Sequence, residues 1–143
     1  MHTLTTSRVA VALLVLATLP LTACGAKDEP AEGGRTFDLT AADAGRTLTL
    51  RPGDEIVVTL DSNATTGFAW QIDTKPAAEV LDLVKSEYVA PETELVGAGG
   101  QEIWRFVATG RGSTDIAMTY ARGFSGETAG EPFDLTVVVD DAA

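Results

Sequence analysis

The chain has 143 residues, a length that suits one compact domain and is too short for two ordinary ones. Hydrophobic residues make up 45% and glycine occurs 14 times, a balance that favours a β-rich domain with many turns over a helical bundle. There are 10 Lys and Arg residues against 21 Asp and Glu residues, and the formal net charge of −11 makes nucleic acid and anionic lipid headgroups poor partners.

The single histidine and the single cysteine, His2 and Cys24, both lie near the N-terminus. The rest of the chain has no imidazole and no thiol, which excludes Ser-His-Asp and Cys-His nucleophilic machinery and zinc sites built from His and Cys. An internal disulfide is excluded for the same reason. From the residues alone, carboxylate chemistry or no chemistry at all remains, and we expect no metal and no cofactor.

Residues 1–23 have the pattern of an export signal, with Arg8 followed by an apolar run over Val9–Leu19. The run is shorter than the roughly 20 apolar residues that a membrane-spanning helix needs. It ends in Leu21-Thr22-Ala23-Cys24, which resembles a bacterial lipobox. The resemblance implies cleavage before Cys24, a lipid on its sulfur and new amino group, and a protein exported and anchored to the cell envelope. The alternative is an ordinary secretory signal in which Cys24 is incidental.

A flexible tether is predicted over residues 24–35, because the segment after Cys24 is polar, rich in Gly, Pro and Ala, and without periodicity. The folded domain is then predicted over residues 36–143. We find no internal repeat and no second domain, and we expect a monomer.

Short strands are predicted throughout this domain, because apolar residues alternate with polar ones and no segment keeps a helical period. The alternating apolar residues, in chain order, are Leu48 and Leu50; Ile56, Val58 and Leu60; Phe68 and Trp70; Trp104 and Phe106; Ile116, Met118 and Tyr120; and Phe133, Leu135, Val137 and Val139. Residues 80–89 are ambiguous but favour a strand. Seven or eight short strands predict an all-β fold, either an antiparallel sandwich or a barrel.

Three segments differ from ordinary turns, and we call them loop 1 (Asn63–Phe68), loop 2 (Gly97–Gly100) and loop 3 (Arg122–Phe124). Each has a simple structural explanation when taken alone, since Asn and Gly tolerate the positive φ of turns and a Gly-rich run suits a hairpin end. Loop 2 is not a phosphate-binding loop, because it lacks the Walker lysine and the strand–helix context.

Taken together and in this order, the three loops resemble those of the chagasin family of cysteine-protease inhibitors. The matching residues are Asn63, Ala64, Thr65, Thr66, Gly67 and Phe68 in loop 1, Gly97, Ala98, Gly99 and Gly100 in loop 2, and Arg122, Gly123 and Phe124 in loop 3. The family has Pro where this chain has Ala64 and Gly123, so both loops should be less pre-organised here. The resemblance implies an immunoglobulin-like β-sandwich.

The resemblance also implies that all three loops bind a papain-like cysteine protease and fill its active-site cleft, with inhibition that is steric and reversible. Gly67 would then allow a close backbone approach, and Thr65 and Thr66 would offer hydrogen-bonding groups. Phe68 would either fill an apolar subsite or brace the loop. Arg122 and Phe124 would form an anchor pair at the rim of the interface.

Two other functions remain open from the residues alone. One is an envelope lipoprotein of sandwich fold that binds a cell-wall or periplasmic partner without inhibiting a protease. The other is a carboxylate enzyme such as a glycosidase, which needs two facing carboxylates in a cleft. The acidic residues of this chain are scattered, which does not favour such a pair.

Trp70 and Trp104 each fall on a predicted strand, so we expect both in the core more than in a binding contact.

The lipid anchor can be tested by substitution of the one cysteine. Cys24→Ser removes the only thiol that could carry the lipid, so we expect the protein to leave the membrane fraction or to keep its signal peptide. Fractionation of cells and the mass of the purified chain measure both. Unchanged partitioning and processing in the variant would contradict lipidation.

Overall fold

Eight β-strands in two four-stranded sheets form the domain in the computed structural model, which describes residues 33–93 and 95–142. The strands are β1 Thr36–Thr40, β2 Arg46–Leu50, β3 Glu55–Ser62, β4 Phe68–Thr74, β5 Leu81–Val89, β6 Gly100–Ala108, β7 Gly112–Arg122 and β8 Phe133–Val139. The first sheet has the order β1-β3-β6-β5 and the second the order β2-β8-β7-β4. The predicted all-β sandwich with seven or eight strands is confirmed, and the barrel is not formed.

The core lies between the sheets, and the alternation of residues along each strand builds it. In β8, Phe133, Leu135, Val137 and Val139 are all buried, while the residues between them are more exposed. Residues two apart share one face of a strand, so every second side chain enters the core. Trp104 is buried within this core, and Trp70 packs against it while remaining partly exposed, as expected for two tryptophans on strands.

One edge of each sheet departs from a purely antiparallel sandwich, while the other edges, β5 and β4, pair antiparallel. β1 pairs with β3 and β2 pairs with β8 in parallel, whereas the inner pairs are antiparallel. The alternating pattern predicts a strand but not the direction of its neighbour, because that direction depends on the connection between sheets. β1 is also short, with Leu39 as its one buried residue, and the sequence pattern did not single it out.

The ambiguous segment at residues 80–89 forms β5, and a bulge explains its irregular pattern. The register against β6 shifts between Leu83 and Lys85, and Val84 is exposed there. An extra residue in one strand reverses the alternation beyond it, so no single period of two fits the whole segment.

The loops lie at one end of the sandwich, and the first and last residues that the structure describes near the strands lie at the other. The 63–67 connection and the start of β6 meet at one end, where Ser62 of β3 pairs with Gly100. At the other end, the backbone of Arg35 is bonded to Asp54 and Glu55, and Asp140 N–H donates to Leu50 O at 2.9 Å. Within residues 33–93 and 95–142, no helix has the length and apolar character that a membrane span requires.

Asp54 links the segment before β1 to the turn between β2 and β3, at the end of the domain opposite the loops. Its buried carboxylate accepts hydrogen bonds from Arg51 N–H and Arg35 N–H, both at 2.8 Å, and from the Arg35 guanidinium at 2.7 Å. Burial by itself would raise the pKa of Asp54, but the hydrogen bonds from the Arg35 side chain and from the two backbone groups outweigh it and hold that pKa below its ordinary value. Arg35, at the end of the predicted tether, is thereby bonded to the domain.

The ionised form of Asp54 should therefore stabilise the fold. Because its pKa is lower in the folded chain than the ordinary value of 3.8, its contribution is present above pH 3.8 and is lost as the pH falls through the folded-state pKa. We expect Asp54→Asn to lower the free energy of unfolding at pH 7 by about 1.5–3 kcal/mol, as for hydrogen bonds to a charged group. Urea denaturation at pH 7 and pH 3 measures the difference, which should shrink in acid.

Asp38 provides the control for this experiment, because it is an exposed aspartate on β1. Asp38→Asn should change the stability little at either pH. An equal loss from both variants at pH 7 would contradict the special role of Asp54.

Candidate functional site

The three loops meet because of two register pairs between strands. Ser62, the residue before loop 1, pairs with Gly100, the last residue of loop 2. Phe68, the last residue of loop 1, pairs with Arg122, the first residue of loop 3. Loop 1 is therefore flanked by loop 2 on the side of the first sheet and by loop 3 on the side of the second. The residues that the sequence singled out lie together at one end of the sandwich.

Loop 1 is a single turn of 3₁₀ helix over Ala64–Thr66 with a defined residue at each end. Asn63 caps its start, and its Oδ1 accepts hydrogen bonds from Thr65 N–H at 3.2 Å and from Thr65 Oγ1–H at 2.7 Å. Gly67 ends the turn in the left-handed region, with φ of 77° and ψ of 5°. Most residues with a Cβ are strained in that conformation, which glycine adopts without such strain, so the turn favours glycine at this position.

Asn63 also joins loop 1 to both neighbouring parts of the site. Its side-chain Nδ2–H donates to Gly97 O in loop 2 at 2.9 Å. Its backbone N–H donates to the Tyr120 hydroxyl on β7 at 2.7 Å. One residue thus caps the turn, binds loop 2 and contacts the strand that leads into loop 3. The sequence indicated Asn63 as a turn residue, but not this set of partners.

Arg122 and Phe68 brace the other side of loop 1. The Arg122 Nη2–H donates to Thr66 O at 3.2 Å, and its Nη1 lies 3.0 Å from Glu127 Oε2. The guanidinium lies 4.6 Å from the centre of the Phe68 ring, which stacks in turn on Tyr120 at 5.5 Å between centroids. Of the two expectations for Phe68, the contacts are those of a brace. The Arg122 side chain is engaged within the protein, so Phe124 is the more exposed of the expected anchor pair.

The glycines of loop 2 have different surroundings. Gly97 adopts a φ of 82° with open space around it, whereas a Cβ at Gly99 would sit 3.5 Å from Ser62 O. Gly100 belongs to β6, and a Cβ there would collide with Val89 O and lie 2.7 Å from the Tyr88 hydroxyl. Gly100 therefore allows close packing inside the protein, while Gly97 lies in the surface turn that the Ala98 N–H closes on Leu95 O.

Bulky apolar side chains are exposed on both sides of loop 1. Phe124 of loop 3 is fully exposed, and so is Val96, which stands directly before loop 2 with the exposed Leu95. Single exposed apolar side chains are common on protein surfaces, and what distinguishes these three is their position beside loop 1. Leu95 and Val96 were not predicted as site residues, although two bulky apolar residues without alternation before a glycine run are a visible sequence signal.

The chemistry of this site is that of a binding surface. The Thr65 and Thr66 hydroxyls donate to amide oxygens of Asn63, which are not bases that could activate a nucleophile. Among the described residues, no group of three or more metal-ligating side chains comes together. Loop 1 is a hydrogen-bonded turn that lies between two exposed apolar tips, Phe124 on one side and Val96 with Leu95 on the other.

Comparisons with known proteins agree in family and in fold. The family profile described as "Chagasin family peptidase inhibitor I42" matches residues 49–137, which include all three loops. The chain is 36% identical to chagasin from Trypanosoma cruzi over 91 residues, which cover 62% of this chain and 83% of chagasin.

Two solved structures share the fold. The cysteine protease inhibitor EhICP2 from Entamoeba histolytica has a TM-score of 0.66 and 23% identity, and the match covers 74% of this chain and 96% of EhICP2. PbICP-C, solved in complex with falcipain-2, has a TM-score of 0.54 and 18% identity, over 75% of this chain and 92% of its own.

Ala64 offers a test of how rigid loop 1 is. It is the first residue of the 3₁₀ turn, where the fixed φ of proline fits, and Asn63 before it has the extended backbone that a following proline requires, with φ of −128° and ψ of 92°. Ala64→Pro should raise the free energy of unfolding by about 0.4–1 kcal/mol by restricting the unfolded chain. Chemical denaturation measures this gain.

Ala98 in loop 2 is the matched control, because its N–H donates to Leu95 O at 3.2 Å. Proline has no N–H, so Ala98→Pro should give no gain or a loss. Destabilisation by Ala64→Pro would show that the turn differs from the one described.

Proposed function

The chain belongs to the chagasin family of peptidase inhibitors, and we propose that it is a reversible, non-covalent inhibitor of papain-like cysteine proteases. Its relatives are inhibitors and not enzymes, and residues 25–143 contain neither Cys nor His. Inhibition would therefore be steric, with the three loops filling the cleft of the enzyme. PbICP-C, which shares the fold, binds falcipain-2, and that complex supports a cysteine protease as the partner.

The observation that carries this proposal is the convergence of the three loops with loop 1 in the centre. Asn63 of loop 1 donates to Gly97 O of loop 2, and Arg122 of loop 3 donates to Thr66 O of loop 1, so the loops form one connected surface. A projecting turn with internal hydrogen bonds loses little freedom on binding, which favours affinity. The hydrogen bonds of Asn63 and Arg122 supply some of the rigidity that proline gives other members at the positions of Ala64 and Gly123.

Loop 1 would enter the active-site cleft with its backbone foremost. The Thr65 and Thr66 hydroxyl protons are used inside the loop, so we propose that the enzyme meets the backbone near Gly67 more than these hydroxyls. The nearest atoms to a Cβ at Gly67 would be Arg122 Nε and Cγ, at 3.8 and 3.9 Å, so its outer side is free of other protein contacts. A close approach by the enzyme is possible there.

The apolar tips on either side would bind the rims of the cleft. Phe124 and Val96 are fully exposed and Leu95 is nearly so, and burying such side chains against an enzyme supplies a favourable hydrophobic term. We propose Phe124 and Val96 as the two outer contacts. Together with loop 1 they would form three points of contact across the cleft.

We also propose that the protein is exported and held at the cell envelope by lipid on Cys24, with residues 24–35 as a tether. Cys24 lies outside the described residues, and the support for this anchor is the apolar run followed by Leu21-Thr22-Ala23-Cys24. The partner would then be a protease outside the cytoplasm, bound by a monomeric inhibitor.

A titration of the full chain, in mild detergent, against papain tests the function directly. We expect reversible inhibition of papain and no effect on trypsin, whose active site uses a serine. Residual activity at a series of inhibitor concentrations gives the inhibition constant. No inhibition across several papain-like enzymes would favour the binding lipoprotein over the inhibitor.

Substitution of Gly67 is the most direct test of the proposed contact between loop 1 and the enzyme. Gly67→Val adds a side chain to the outer surface of loop 1 and should weaken inhibition by more than tenfold, about 1.4 kcal/mol or more. Gly67→Asn should also weaken it, while asparagine tolerates the left-handed backbone and keeps the turn. Inhibition constants and thermal melts of both variants separate contact from folding.

Gly53 is the matched control, with a φ of 91° and open space around it at the opposite end of the domain. Gly53→Val places comparable backbone strain far from the loops and should leave inhibition unchanged. Full inhibition by folded Gly67→Val would remove loop 1 from the interface. Loss of folding in both Gly67 variants would make Gly67 a structural glycine.

A further inference from the structure

Glu102 lies beneath loop 1 but belongs to none of the three loops. It follows Gly100 and Gln101 in β6, and it shares the inner face of that strand with Trp104 and Phe106, because residues two apart point the same way. Its carboxylate therefore enters the space between the sheets at the end where the loops converge.

One oxygen of this carboxylate contacts the strands on both sides of loop 1. Glu102 Oε1 accepts a hydrogen bond from Ser62 Oγ–H at 2.7 Å and another from Trp70 N–H at 3.1 Å. Ser62 is the last residue of β3 in the first sheet, and Trp70 lies in β4 of the second sheet. Glu102 Oε1 thus links the two sheets at the place where the chain crosses between them through loop 1.

Both donors need a partner of this kind. Ser62 is only 4% exposed, and a buried hydroxyl without a hydrogen bond is costly. Trp70 lies on β4, an edge strand whose neighbour in its sheet is β7, and its N–H is directed to Glu102 instead of to β7. The carboxylate supplies the acceptor that a further strand would have supplied.

The geometry points to Glu102 as a positioning residue that fixes the distance between the two ends of loop 1 and so the shape that Thr65, Thr66 and Gly67 present to a protease. This inference rests on the proposed function, because it concerns how the same surface is held. The other explanation is that Glu102 only satisfies Ser62 and stabilises the fold as a whole. If Glu102 only stabilises the fold, an equal loss of stability elsewhere in the domain should weaken inhibition as much. If Glu102 positions loop 1, such a loss elsewhere should leave inhibition nearly unchanged.

The test compares Glu102→Leu, which removes the acceptor, with Glu102→Gln, which keeps a carbonyl oxygen at the same place. Asp54→Asn is the control, because it removes a buried carboxylate at the opposite end of the domain. All are made in the full chain in mild detergent. Two quantities are measured, the inhibition constant for papain and the hydrogen-exchange rates of the backbone amides from Asn63 to Trp70.

We expect Glu102→Leu to raise the inhibition constant by at least about tenfold and to speed exchange at Trp70 and in loop 1. Glu102→Gln should stay within about threefold of the wild type, since an amide oxygen can accept both bonds. Asp54→Asn should also leave inhibition within about threefold at a temperature where it is folded. If Glu102→Leu does not fold, Ser62→Ala removes one of the two bonds and should raise both quantities to a smaller extent.

Three outcomes would overturn the inference. These are unchanged exchange in loop 1 of a folded Glu102→Leu, a loss of inhibition in Glu102→Gln as large as in Glu102→Leu, and an equal loss in Asp54→Asn. Failure of the proposed function has a different signature, because the wild type would then not inhibit papain. In that case the exchange rates still decide whether Glu102 positions loop 1.

Discussion

The chain must leave one sheet at Ser62 and enter the other at Phe68, and the rest of the site depends on this short crossing. Packed sheets lie about 10 Å apart, and the chain has only residues 63–67 to cover that distance and reverse direction. A turn of 3₁₀ helix meets the requirement, with Asn63 at its start and the left-handed Gly67 at its end. The residues that resemble a recognition motif are therefore also the residues that the crossing requires.

The residues of the motif also make the hydrogen bonds that hold the crossing, which explains why loop 1 keeps its shape without proline. The Asn63 side-chain oxygen accepts two hydrogen bonds inside the turn, and the Asn63 side-chain and backbone N–H groups donate outside it, to Gly97 O and to the Tyr120 hydroxyl. On the opposite side, the Arg122 guanidinium covers the Phe68 ring and bonds Thr66 O. A proline restricts the unfolded chain, whereas these bonds stabilise the folded one, so the two routes to a rigid loop are independent.

Much of this arrangement follows from patterns within the sequence. Alternation of apolar residues predicts most of the strands, and the order of the three loops predicts the family and the end of the domain where they lie. The parallel edge pairing, the bulge at Val84 and the packing of Gly100 against Val89 could not be predicted, because each depends on a neighbouring strand that is distant in sequence. Glu102 is hidden for the same reason, since its partners Ser62 and Trp70 are 40 and 32 residues away.

The termini of the described domain leave from the end opposite the loops, where Arg35 is bonded to Asp54 and Asp140 to Leu50. A peptide, a label or a solid support joined next to Arg35 or Asp140 would start at the end of the domain that lies away from loop 1. The protein therefore suits display formats in which the scaffold is immobilised and the exposed positions Phe124, Val96 and Leu95 are varied in sequence. The strands would carry such variation, because the buried core lies between the sheets and Phe124, Val96 and Leu95 take no part in it.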